Sequence, residues 1–408
     1  MSKRAIILVL GGGYDQCALI KKLKGLGYTV FLADYLEKPI AAQYADRHFI
    51  ISTLDTKQIK KLCIDYNIER IAVACTDQAL LTAASVSEKL GLPFYLSAQT
   101  TRQLTNKKYM KAQFVKYAIP TARHIVTKQS HLRELPAWDF PWVVKPADCN
   151  SSKGITKIEN LQALAPALEY ALETSRSHTA IIEEFIPGKE LSIDVYVVDG
   201  KATLLSVTET VKIANNTDFT IIQSKYPAAI SADCHSSITE LVQTIADAFK
   251  LTNCPLLIQA IYTKDRLSII EISARLGGGT KYRLIEEICG VPAMDANIAT
   301  LLGTPYAISP QTKRDTYIRL NYCYCYNGLY TQHTLEQLKQ NATIAEYYPY
   351  KAPGSQITGA RTSSDRIAGY LITAHTEEEL QQKQQCVMEQ LQVTGENGVN
   401  IARTFQYE

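Results

Sequence analysis

Lys145 ends the apolar run Trp142-Val143-Val144 and precedes Pro146 and a small polar loop, Asp148-Cys149-Asn150-Ser151-Ser152-Lys153-Gly154. An ammonium at a strand end supplies a point charge, and a Ser/Gly loop supplies backbone N–H groups that can wrap around oxyanions, so the combination suits phosphate. The same residues also fit a lysine that reaches from a strand end onto a solvated loop. Glu271 closes a second apolar run, Leu267-Ser268-Ile269-Ile270. A carboxylate delivered to a buried place is costly unless it is paired or holds a metal. Gln259 follows Leu256-Leu257-Ile258 on the strand expected to pair with that run. Two oxygen donors on paired strands can share a magnesium ion, with phosphates filling the other positions. A salt bridge from Glu271 to Arg275, or a solvated strand end, is the plainer reading. Arg275 precedes Gly277-Gly278-Gly279, whose backbone can approach an anion, and arginine recognises carboxylate or phosphate in a plane. Glu183, Glu184 and Glu190 flank Ile186-Pro187-Gly188. A strand that ends in such a linker leaves backbone groups free to read an adenine edge, while a carboxylate takes ribose hydroxyls. Alone, the segment is a hinge with solvated acids.

These residues need strands and loops to hold them. The run Ala5 to Leu10 reads as a buried parallel strand, with Gly11-Gly12-Gly13 as the turn after it. A helix to about Lys24, a strand Tyr28 to Ala33 closed by Asp34, a helix over 56–66, a strand over 70–75 and a helix over 77–90 follow. That alternation implies right-handed crossovers and a doubly wound domain over residues 1–97. Lys107, Lys108 and Lys111 fall on a helix ending near Tyr117, before Ile119-Pro120. Strands are expected at 123–127, 142–146, 155–158 and 179–184, with a helix over 160–173. Longer strands at 191–198 and 202–213 are split by Asp199-Gly200, a strong hairpin signal. After a helix over 236–250, strands at 256–262 and 267–273 pair across Lys264-Asp265. The remainder holds a tyrosine-rich strand region at 316–326, a helix at 334–340, a strand at 367–373 and a helix at 376–391.

The chain of 408 residues has 46% hydrophobic and 20% charged residues, a globular composition. Its net charge of +3 is too balanced to advertise nucleic-acid binding. Ten cysteines are scattered without a C-x-x-C pair, which favours reduced thiols over a zinc site. Cys323 and Cys325 would point to one face of a strand. The run Ala5 to Leu10 is too short for a membrane span or a signal peptide, and the protein is read as cytoplasmic. The glycine triplet at 11–13 lacks the third glycine of a dinucleotide fingerprint, although Asp34 stands where a ribose acid would. No Ser-His or Cys-His constellation stands out; His124 is read as structural.

In their order along the chain, these motifs resemble the ATP-grasp superfamily, in its carboxylate–amine (amino-acid) ligase and carbamoyl-phosphate-synthetase-like branch. The resemblance rests on Asn106-Lys107 thirteen residues before Pro120, on Lys145-Pro146, on Ser151 to Gly154, on Glu183 to Glu190, and on Glu271 to Gly278. It implies an ATP-grasp fold over 98–308 with a mobile lid at 122–186, led by the parallel-sheet domain and followed by a small α+β domain at 309–408. The fold class is thus α/β and α+β. The resemblance also implies that Lys107, Lys145, Ser151, Ser152 and Gly154 meet ATP phosphates. Glu183, Glu184 and Ile186 form the adenine hinge, and Glu190 holds the ribose. Gln259 and Glu271 hold Mg2+ (Mn2+ possible), with Ser273 in place of the family's usual asparagine. Arg275, with Lys145, stabilises the transferred phosphate and the acyl group. The activity implied is amide formation from a small-molecule carboxylate and amine through an acyl phosphate, with no nucleic acid or membrane partner and with a homodimer left open. A carboxylate–thiol ligase, a carboxylase-type enzyme (without a biotin-carrying Met-Lys-Met) and a non-catalytic nucleotide-binding regulator are the other readings. Gln259 and Ser273 keep the last one open, since one formal anion fewer weakens magnesium binding.

Overall fold

The computed structural model describes residues 4–405 other than 133, 151–152, 214–219, 265, 312, 314 and 360–361. The N-terminal sheet is parallel, in the order Arg47–Ile50, Thr29–Asp34, Ile6–Leu10, Arg70–Ala72. Ile6–Leu10 is almost wholly apolar because both of its faces are covered. Ile7 and Val9 enter one core with Leu19, Ile20 and Leu23 of helix Tyr14–Gly25. Leu8 and Leu10 enter the other with Ile59 and Leu62 of helix Thr56–Asp65 and Leu80 and Val86 of helix Asp77–Leu90. The edge strand Arg47–Ile50 escapes sequence reading because it is half exposed and carries no alternation. The strand expected to run to residue 75 ends at Ala72, and Cys75 turns the chain with a positive φ of 61°.

A small antiparallel sheet follows, in the order His124–Thr127, Ala180–Glu184, Trp142–Pro146, Thr156–Ile158. It packs on helix Leu164–Thr174 through a core of its own, in which Trp142, Val144, Ile158, Leu168 and Ile182 meet. A subdomain with its own core and few apolar ties elsewhere can move as a unit.

The central sheet is antiparallel, in the order Arg266–Ser273, Cys254–Thr263, Lys189–Val198, Lys201–Lys212, Ile221–Tyr226, Tyr317–Cys325, Ala368–Ala374, Glu346–Pro349. Asp199 and Gly200 both take positive φ, as the tight hairpin requires. The strand Tyr317–Cys325 pairs with Ile221–Tyr226 on one side and Ala368–Ala374 on the other, so one sheet runs across position 308. Cys323 and Cys325 lie in the same core, beneath helices Leu335–Gln340 and Glu377–Gln390. Helices Lys281–Cys289 and Ala293–Leu302, absent from the expectations above, pack against the N-terminal domain's second core. Among the described residues, no helix is long and apolar enough to cross a membrane.

Candidate active site

One cavity of about 1000 Å3 opens between the N-terminal domain, the small sheet and the central sheet. It brings together Lys107, Lys145, Glu183, Glu184, Ile186, Glu190, Gln259, Glu271 and Arg275 from segments up to 168 positions apart. Ser151 and Ser152 lie outside the described residues. Gly154 is buried just off the lining, with φ of +78° and space for a Cβ only at 3.0 Å from Pro146 and Thr174. Glycine is therefore required there to turn the loop.

The small sheet carries the first charge cluster. Val143 pairs with Glu183, which sets Lys145 diagonally across from that carboxylate. Lys145 Nζ donates to Glu183 Oε2 at 2.6 Å, and Lys111 Nζ lies 2.8 Å from Oε1. Lys111 also donates to the Thr121 hydroxyl. Burial pushes the Glu183 carboxyl up, but the two ammonium groups outweigh it and hold it at about 2. Burial holds Lys111 down at about 8 despite Glu183. Glu183 thus reaches the cavity wall as the shared counter-ion of the two lysines and orients them. Its neighbour Glu184 accepts from Arg123 Nε at 2.6 Å, and the Glu184 N–H donates to the Arg123 carbonyl. The backbone N–H and C=O of Ile186 pair with nothing among the described residues. They are what an adenine edge would use. Glu190 forms an ion pair with Lys212 on the adjacent strand.

The strand pair Cys254–Thr263 and Arg266–Ser273 carries the second cluster. Gln259 and Glu271 are direct cross-strand partners, and the register then slips, so that Ala260 pairs with Ile269. A bulge of this kind re-aims side chains next to functional sites. Lys107 begins helix Lys107–Lys116, capped by Asn106, and its Nζ lies 2.9 Å from Glu271 Oε2 and donates to the Cys149 carbonyl at 2.9 Å. Burial works against the Lys107 charge, yet Glu271 raises its pKa on balance. Gln259 and Glu271 offer one amide oxygen and one carboxylate toward a common point, which suits a hard divalent cation that also takes phosphate oxygens. The Ser273 hydroxyl lies off the main cavity, in a small adjoining cleft, and donates to Asp77. Toward a cation it adds a neutral oxygen only if that bond is given up.

Arg275 pairs with Asp77, not with Glu271. Its Nε donates to Asp77 Oδ1 at 2.7 Å and its Nη2 to Oδ2, a bidentate fork. Burial opposes the Asp77 charge, and Arg275 holds that carboxyl below its ordinary value. Asp77 opens the helix after the last parallel strand of the N-terminal domain, so the fork joins that domain to the central sheet. Asp15 makes a second joint: it accepts from the N–H groups of Gly279 and Thr280 at 3.1 and 3.0 Å. Loss of solvation raises Asp15 to about 6. Asp34 turns inward upon its own loop, accepting from Gly12 and Leu36 N–H at 2.7 and 2.8 Å, so it is not free for a ribose. Lys281 donates to Thr208 at 2.7 Å. From the C-terminal segment, Arg366 reaches the cavity beside Tyr322 and Gly279. Asp15, Asp77, Lys281 and Arg366 escaped the sequence reading; only Asp77, an acid at the start of a helix after a parallel strand, carried a local signal.

Residues 138–282 match the ATP-grasp domain family. The D-alanine–D-alanine ligase of Parabacteroides distasonis is 30% identical over 169 residues, 38% of this chain and 48% of that protein. The chain spans about half the length of this and two other D-alanine–D-alanine ligases that it matches. The L-arginine-specific L-amino acid ligase of Bacillus subtilis is 23% identical over 84% of this chain and 85% of that one. The crystal structure of the L-amino acid ligase from Bacillus licheniformis superposes with a TM-score of 0.80 at 17% identity, covering 97% of this chain and all of that one. Residues 138–282 thus match an ATP-grasp domain, and the chain as a whole shares the fold of the L-amino acid ligase structure.

Proposed function

We propose that the protein is an ATP- and Mg2+-dependent carboxylate–amine ligase that forms an amide between small molecules, at least one of them an amino acid. The observation that carries this reading is the convergence of Lys107, Lys145, Glu190, Gln259, Glu271 and Arg275 on one cavity, together with the unpaired backbone of Ile186. The similarity to L-amino acid ligases along most of both chains supports the class of substrate.

Residue roles follow from chemistry. Ile186 would read the adenine edge with its free N–H and C=O, and Glu190 the ribose hydroxyls. Lys145 and Lys107 would neutralise phosphate oxygens, with Glu183 keeping Lys145 oriented. Gln259 and Glu271 would hold a magnesium ion, which would offset the charge of the phosphates. The γ-phosphoryl group passes to a substrate carboxylate oxygen, giving an acyl phosphate and ADP. The amine nitrogen then attacks the acyl carbon, and inorganic phosphate leaves as the amide forms. Arg275 would stabilise the charge that develops on the phosphoryl and acyl oxygens. To do so it must share its fork with those oxygens or give up Asp77. Placement and charge neutralisation suffice, and no covalent nucleophile is needed.

The test is ADP release by the full-length chain with ATP, Mg2+ and pairs of amino acids, with hydroxylamine added separately to trap the acyl phosphate as a hydroxamate. Amino-acid-dependent ADP and hydroxamate are expected. ATP binding without either product from any amino acid or common carboxylic acid would overturn the reading in favour of a nucleotide-binding regulator.

A further inference from the structure

Five cations of the cavity are matched to acids. Lys107 pairs with Glu271, Lys111 and Lys145 with Glu183, Lys212 with Glu190, and Arg275 with Asp77. Two buried cations on the lining have no such pair: Lys281, which donates to Thr208, and Arg366. Arg366 is 7% exposed and lines the cavity, yet among the described residues no carboxylate lies within ion-pair distance. Its Nε donates to the Tyr324 hydroxyl at 3.0 Å, and one Nη donates to the Ile221 carbonyl at 3.3 Å. Its guanidinium lies 3.5 Å over the Tyr322 ring, which fixes its plane. The other Nη lies against Gly279, where a Cβ would come within 2.6 Å of it. Asp15, whose carboxyl feels the Arg366 charge, is already engaged by the N–H groups of Gly279 and Thr280. An arginine stays charged, and a buried charge without a counter-charge is expensive. A fixed, planar guanidinium facing a cavity is built for a planar anion supplied from outside.

We propose that Arg366 anchors a carboxylate subsite on the C-terminal wall of the cavity, and that one substrate places there a carboxylate that the ligation does not consume. This rests on the ligase reading for the word substrate, but not for the binding. Arg275 begins the glycine loop and Arg366 packs against its end, so the loop separates a reacting end from an anchoring end. The anchored group is either the α-carboxylate of an amino acid acting as amine donor or the second carboxylate of a diacid acting as acyl donor.

The experiment uses the full chain with MgADP. Each protein amino acid and its carboxamide is titrated calorimetrically onto wild type, Arg366→Lys and Arg366→Gln. At least one amino acid should bind, with its carboxamide about 10–100-fold weaker, as for loss of a charged hydrogen-bonded pair. Arg366→Gln should erase that preference with ADP affinity unchanged, and Arg366→Lys should keep part of it. Equal binding of amino acid and carboxamide by wild type overturns the proposal even if the variants do not fold. So does an undiminished preference in Arg366→Gln, or no binding of any amino acid at millimolar concentration. Hydroxylamine then separates the two sources. With it replacing the amine, an Arg366→Gln defect that persists assigns the carboxylate to the acyl donor, and one that vanishes assigns it to the amine donor. Carboxylate-selective, Arg366-dependent binding without ADP release from any pair would leave the subsite standing and remove the ligase reading. ADP release without carboxylate selectivity would do the reverse.

Discussion

The two charge clusters in the cavity are built differently. Lys111, Glu183 and Lys145 are held by one helix and two neighbouring strands of a small sheet, within 73 positions of each other. Arg275, Asp77, Asp15, Gly279 and Arg366 come from the N-terminal domain, the loop after strand Arg266–Ser273 and the C-terminal segment, the farthest 351 positions apart. The first cluster is a closed set of ions that stabilise one another. The second ends in a guanidinium with no acid partner and in a fork that has to be shared during reaction. A nucleotide is the same molecule in every turnover, so rigid local geometry serves it. A specific acid and amine call for surfaces that the rest of the chain can vary.

Removing Glu183 should have the largest effect on stability. Glu183→Ala leaves two buried ammonium groups facing each other, and breaking such a set by removing one partner costs about 3–5 kcal/mol. Urea unfolding would measure it, and a loss under 1 kcal/mol would make the first cluster as open as the second. Its pH dependence has a definite sign. The Glu183 pKa falls from 4.5 to about 2 on folding, so its stabilisation is complete above the unfolded value and is lost as pH drops through 4.5 toward 2.

On the chemistry, Glu271→Gln and Arg275→Ala should each lower turnover by about 10²–10³-fold, as for other preorganised charges. They should differ in kind. Glu271→Gln removes the carboxylate beside Gln259 and should raise the magnesium concentration needed. Arg275→Ala should leave ATP affinity largely intact. Magnesium titrations of ADP release, with nucleotide binding followed by calorimetry, would separate them. A fully active Arg275→Ala would remove the role given to the segment Glu271 to Gly279.

Asp77→Asn should have a smaller effect. It loses the charge of the fork while keeping one acceptor, so Arg275 stays placed less firmly. A roughly tenfold fall in kcat/KM is expected, from an interaction worth about 1.5 kcal/mol. Its pH–rate profile should keep its shape, because Asp77 orients and does not transfer protons.

The smallest change concerns Asp15. Its pKa rises from 3.8 to about 6 on folding, so the folded state takes up the proton more readily, and stability should rise as pH falls from 6 toward 4. Asp15→Asn should flatten that slope and add on the order of 1 kcal/mol at pH 8, since the carboxylate is partly solvated at the cavity wall. Thermal melts across that range would check it. A slope of the opposite sign would mean that the carboxylate is stabilised at the glycine loop, as Glu183 is between its lysines.

Much of what positions the first cluster and the Gln259–Glu271 pair was legible in the sequence. Apolar runs ending in Lys145, Glu184 and Glu271 mark buried strands that deliver polar ends, and Asp199-Gly200 pins the hairpin that places Glu190 in the sheet. Those signals are local, because a strand's period and a turn's φ are set by adjacent residues. Gln259 opposite Glu271 also follows from two consecutive strands joined by a short turn. What could not be read was the partner of each charge. Arg275 meets Asp77, 198 positions away, Lys107 meets Glu271, and Glu183 pairs with two lysines, because ion pairs between distant segments depend on packing that no local pattern encodes. The same reason hid Arg366: nothing near it in sequence announces that the C-terminal segment joins the central sheet and carries a guanidinium to the cavity. Residue types and local spacing determined which chemistry was present. The tertiary structure alone decided which of those charges are neutralised within the protein.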